Sequence, residues 1–126
     1  MHVSQGDLYW LVFPEDGPTP IQHPCVVIQD DLINQSRLTS TVVCGLSTNM
    51  KKAYEPGNIL LPAGEGNLPK QSVIVVSQIS AVEKARLGEY IGRLGAERVN
   101  QIFDGMKLLQ GLAQSPPGAG RDRYPA

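Results

Sequence analysis

Asn58-Ile59-Leu60-Leu61 and Ser72-Val73-Ile74-Val75-Val76 are short apolar runs on either side of a loop, Pro62 to Pro69, that carries Gly64, Gly66 and Asn67. Neither run is long enough for a globular helix, and proline and glycine bound both, so each reads as a strand. The same pattern repeats toward the N-terminus. Thr41-Val42-Val43-Cys44 is a third such run, closing at Gly45-Leu46-Ser47-Thr48-Asn49, and Cys25-Val26-Val27-Ile28 is apolar throughout, as a strand buried on both faces is. Asp7-Leu8-Tyr9-Trp10-Leu11-Val12-Phe13 is aromatic and β-branched and stops at Pro14. Between these last two lies Pro14 to Gln22, with Pro14, Gly17, Pro18 and Pro20, too proline-rich for ladder pairing and long enough for a lid. Asp30-Asp31-Leu32-Ile33-Asn34 reads as a turn or a single helical turn.

Toward the C-terminus, further extended stretches run through Ile79 to Val82 and Tyr90 to Leu94. Then the period changes. Val99, Ile102, Phe103, Met106 and Leu109 recur every three or four residues, one face of a helix that closes near Gly111. From Gln114 to Ala126 the chain is rich in Pro, Gly, Arg and Asp without apolar pattern, so a domain over residues 1–113 followed by a disordered tail over 114–126 is expected. Five to seven short strands and one terminal helix predict a mainly β protein, a strongly bent, barrel-like sheet with the C-terminal helix packed on it.

Composition narrows the function classes. The 126 residues suit one domain, and 41% hydrophobic with 18% charged residues is neither a disordered nor a highly charged chain. Lys+Arg number 11 against 12 Asp+Glu, which excludes a generally basic nucleic-acid coat though not a local basic groove. No apolar run approaches a membrane span, and the first residues lack a signal peptide's basic start, so a cytoplasmic protein with no membrane association is expected. Cys25 and Cys44 sit in apolar settings and read as small buried hydrophobes. His2 and His23 are the whole histidine complement, too few for a multi-histidine metal site. No Walker-type loop, His-Glu-x-x-His or Gly-x-Ser-x-Gly motif occurs.

The order and spacing of several fragments resemble the MazF/PemK family of toxin endoribonucleases. These are Gly6-Asp7-Leu8-Tyr9-Trp10, Pro24 through Asp31 with Asn34, and Thr41-Val42-Val43 leading into Leu46-Ser47-Thr48-Asn49. Pro56-Gly57-Asn58-Ile59-Leu60-Leu61-Pro62 through Leu68-Pro69-Lys70-Gln71-Ser72-Val73 is the most specific stretch, and Gln78-Ile79, Val82-Glu83-Lys84 and Arg86-Leu87 complete the pattern. The resemblance implies an SH3-like barrel of the PemK/CcdB-like toxin type and a homodimer neutralised by a cognate antitoxin. It also implies cleavage of single-stranded RNA by attack of the ribose 2′-hydroxyl, with no metal or other cofactor.

Two family positions, an arginine before the proline of the second strand and a threonine after the third, correspond to His23 and Ser47, which the resemblance makes the catalytic pair. Serine keeps a hydroxyl that can hydrogen-bond a phosphate oxygen, whereas histidine exchanges a permanent bidentate cation for a group that ordinarily titrates near ~6.5. The position after Gln78-Ile79, commonly arginine in the family, is Ser80. Thr48, Asn49, Gln78 and Arg86 are the expected RNA-binding residues, with Lys84 solvated or steering phosphate, and Trp10 is expected in core packing or a dimer seam. The replacements leave two alternatives: a catalytically weak member that binds antitoxin or RNA, and a gyrase-poison-like toxin on the same barrel.

Overall fold

The structure, a computed structural model, describes residues 2–13 and 21–111. Most of the proline-rich loop, and the whole expected tail with its boundary at residue 113, lie outside the described residues. β1 (Asp7–Phe13), β2 (Ile21–Val27), β3 (Ser40–Ser47), β4 (Ile59–Leu61), β5 (Ser72–Glu83) and β6 (Leu87–Arg93) form one sheet in the order β4-β5-β3-β2-β1-β6, every neighbouring pair antiparallel. α1 (Asp31–Asn34) is a single turn after β2, and α2 (Ala96–Leu109) follows β6. The result is a curled half-barrel with a C-terminal helix, the mainly β architecture expected.

Alternation along the strands explains why both faces are buried. Leu8, Val26 and Cys44 point into one apolar cluster with Leu61, Leu68, Ile74 and Ile102. Their chain neighbours Tyr9, Cys25, Val27 and Val43 point into another with Val3, Leu11 and Leu87. A strand has a side-chain period of two, so a curled sheet covered on both sides requires continuous apolar runs.

Three details differ from the sequence expectation. The 72–76 and 79–82 stretches are one strand, because a bulge rather than a turn separates them. Cys44 pairs with Ile79 and Leu46 with Ile74, so four residues of β5, Val75–Gln78, stand opposite Gly45 alone. Such an excess bends a strand without ending it. The Val76 N–H, within the bulge, donates to Asn58 Oδ1 at 3.0 Å. Secondly, β2 begins at Ile21, so Gln22 belongs to a strand rather than to the loop. Pro24 is tolerated because β3 pairs with β2 only from Cys25 onward, which leaves that edge of β2 outside the ladder. Finally, 3₁₀ turns occur at Met50–Tyr54, Glu65–Asn67 and Lys84–Arg86, and the last carries the chain directly into β6 at Leu87, three residues before the expected strand.

Candidate functional site

The end of β3, the neighbouring part of β2 and the bulge of β5 enclose a groove of about 810 Å³. Five of the expected site residues line it: His23, Ser47, Thr48, Asn49 and Gln78. They come from three strands and a turn, and the sheet order β5-β3-β2 brings them together.

His23 sits on β2 opposite Leu11 of β1, with an exposed side chain. Ser47 ends β3 and is half-buried. Its Oγ accepts the Asn49 N–H at 3.1 Å, a local turn bond that occupies an oxygen lone pair and leaves the hydroxyl proton to donate elsewhere. Asn49 in turn caps the Met50–Tyr54 turn, its Oδ1 accepting the Lys51 N–H at 3.1 Å. Its Nδ2 hydrogens remain the available part of the carboxamide. Gln78 lies across the backbone of β3. A Cβ built on Gly45 would stand 2.7 Å from Gln78 Oε1, so the absence of a side chain at Gly45 lets the carboxamide lie there.

The permanent charge among the described lining residues is of one sign. No Asp or Glu is among the described lining residues, whereas Lys70 and His23 both are. Cys25 also lines the groove but is 1% exposed, and burial pushes its thiol up to about 12, which keeps it protonated and inert as a nucleophile. Cys44 is likewise buried and free, raised to about 12 first by burial and then by the neighbouring Cys25. The two cysteines are the small buried hydrophobes the sequence implied.

Arg86 does not join this group. It is exposed in the 3₁₀ turn before β6 and is absent from the groove lining. Lys84, expected to be solvated or to steer phosphate, is half-buried and donates from Nζ to the Asn34 carbonyl at 2.7 Å, tying the end of β5 to α1. Trp10, expected in a core or seam, is half-buried and lines the groove. Trp10, Gly45 and Lys70 are lining residues that sequence reasoning gave no site role. Lys70, in a loop between two strands, falls within the family-like stretch Leu68 to Val73, but that resemblance attached no site role to it. Among the described residues no cluster of three or more His, Cys, Asp or Glu could hold a metal, and no helix is long and apolar enough to cross a membrane.

Residues 4–109 match the family described as PemK-like, MazF-like toxin of type II toxin–antitoxin systems. Endoribonuclease MazF6 of Mycobacterium tuberculosis is 32% identical over 114 residues, covering 89% of this chain and 100% of the relative. Endoribonuclease EndoA of Bacillus subtilis is 27% identical over 117 residues, covering 89% and 97%. A mycobacterial endoribonuclease solved in complex with its cognate antitoxin superposes with a TM-score of 0.72 at 18% identity, over 90% of this chain and 99% of that one. The curled antiparallel half-barrel is the fold this chain shares with that structure. The chain belongs to the PemK/MazF toxin family.

Proposed function

We propose that this chain is the toxin component of a type II toxin–antitoxin system, a cytoplasmic homodimeric endoribonuclease that cuts single-stranded RNA without metal or cofactor. Residues 1–113 form the toxin domain, with the Pro/Gly-rich segment 114–126 as a tail outside it. The supporting observation is a groove that His23 and Ser47 line from different strands, with no carboxylate among its described lining residues. A polyanion enters such a groove without like-charge repulsion, and a Mg²⁺ ion ordinarily needs one or two carboxylates that the described lining lacks.

The chemistry follows from the two side chains. The His23 imidazole takes the proton of the 2′-hydroxyl as that oxygen bonds to phosphorus. The P–O5′ bond then breaks, and the imidazolium returns the proton to the departing 5′-oxygen. The products are a 2′,3′-cyclic phosphate and a 5′-hydroxyl. Ser47 donates its hydroxyl proton to a non-bridging oxygen, stabilising the charge that gathers there in the phosphorane. Thr48, Asn49 and Gln78 would hold the flanking nucleotides, single strands being readable because their unstacked bases expose their edges. Arg86, outside the groove, would meet only RNA that extends beyond it. The same described lining, cationic at Lys70 and without a carboxylate, suits an antitoxin segment that is acidic and folds on binding.

Single-turnover cleavage of a long unstructured RNA at several pH values tests the assignment. His23→Ala lowers the rate by on the order of 10²-fold or more, the usual share of a general acid or base. His23→Arg replaces a group that can take and return a proton with a permanent bidentate cation, so any activity it keeps comes from phosphate stabilisation. Ser47→Ala weakens cleavage and leaves the fold intact. Parental rates in both alanine variants would place the site elsewhere. An inert parent beside a cutting His23→Arg would make the protein a binding module instead.

A further inference from the structure

The described cations are mostly engaged in holding the fold or lie away from the groove. Lys84 donates to the Asn34 carbonyl, Lys52 pairs with Glu55 at 3.2 Å, and Arg98 grips Glu65 through Nε and a terminal nitrogen at 2.8 and 2.9 Å. Arg93 donates to the Gln5 carbonyl at 3.3 Å. Lys70 differs on both counts. Its ammonium has no carboxylate partner among the described residues, and it is the one permanent cation among the described residues that line the groove.

Its backbone is held firmly. Leu68 and Ser72, two residues away on either side, are each 2% exposed. Ser72 Oγ donates to the Lys70 carbonyl at 2.9 Å, and Gly64 N–H to the Leu68 carbonyl at 2.8 Å. Val73 pairs with Ser47 across the β3–β5 ladder, so Lys70 leaves the sheet at the same end as the Ser47-Thr48-Asn49 turn. An anchored stem whose ammonium has no carboxylate partner among the described residues, lining the same groove as Ser47, suits a point-charge contact to phosphate.

We infer that Lys70 binds a backbone phosphate of the RNA strand next to the one that is cut, and so sets the strand's register over His23 and Ser47. This rests on the nuclease reading above. Its contribution is equal in ground and transition states, so it acts through KM.

The experiment compares the parent chain with Lys70→Gln and Lys70→Arg, measuring kcat and KM for a short single-stranded RNA across a salt series. Anisotropy binding of the same oligonucleotide with 2′-O-methyl riboses, which cannot be cut, runs in parallel. Lys70→Gln should raise KM and Kd about fivefold at 0.1 M salt and lower the log–log salt slope by about 0.7, the share of one single-strand phosphate contact. It should leave kcat near the parental value, and Lys70→Arg should restore both the affinity and the slope. Unchanged affinity and slope in Lys70→Gln would overturn the inference. So would a fall in kcat at constant KM, which would put the charge at the transition state. A parent that binds but never cuts would sink the nuclease reading while the binding arm still decides the Lys70 contact.

Discussion

The thiol of Cys25 shows how burial decides what a residue in a groove can do. It lines the candidate site, yet only 1% of the residue is exposed, and desolvation raises it to about 12, with Cys44 shifted to about 12 as well. Between about pH 9 and about pH 12 the folded chain keeps protons that the unfolded chain has released. The unfolded state then binds fewer protons, so stability falls as pH rises through that window and is fully present below it. Urea midpoints should therefore drop between pH 8 and pH 10, and both thiols should resist a disulfide reagent at pH 8 until the chain is unfolded. Rapid labelling of the native protein would contradict the burial. Gly45 is the opposite case, a residue with no functional group whose empty position admits Gln78 Oε1. Sequence reading marked Ser47 and Gln78 individually, but nothing in it showed that Gly45, on the same strand as Ser47, faces Gln78 across the β3–β5 ladder.

At the scale of elements, the contact of α2 with the 50s loop is made backbone to backbone. Gly105, buried in the middle of α2, lies directly against Gly57, whose φ is +84°, and a Cβ on Gly105 would run into the Gly57 carbonyl oxygen. Glycine within a helix costs about 1 kcal/mol relative to alanine, so propensity alone would make Gly105→Ala stabilising. The collision reverses the sign, because the neighbour is backbone and cannot rotate away. Gly105→Ala should lose about 1–3 kcal/mol, the usual cost of overpacking, in a denaturant titration. A gain in stability would show that the helix can slide away from the loop. The helix itself was legible in the sequence because Val99, Ile102 and Met106 keep a period that no strand shares. The 3₁₀ turns were not, since three to five residues cannot display a period.

At the scale of the molecule, the sheet ends in two edges, β4 and β6. Leu60 on β4 is 45% exposed and Tyr90 on β6 is 52% exposed, large apolar groups beside unpaired strand edges. Edges of this kind need cover. A second copy of the chain supplies it symmetrically in the assembly proposed above. Light scattering at micromolar concentration should return twice the 13.6 kDa chain mass. A monomer at high micromolar concentration would remove the dimer from the proposed function.

The amino-acid sequence alone determined the class of fold, because strand burial on both faces and a single 3.6-residue period are written in local apolar spacing. It also determined the family, through fragments such as Pro56-Gly57-Asn58 and Leu68-Pro69-Lys70 whose order survives without any contact being known. Only the tertiary structure decided which residues share a groove. Lys70 is 47 positions from His23 (70 − 23) and 23 from Ser47 (70 − 47), yet one groove takes all three as lining, and Arg86, so close in sequence to Gln78, stands outside it. Strand order and the β5 bulge set those neighbours, and both arise from long-range pairing that no local window of sequence contains.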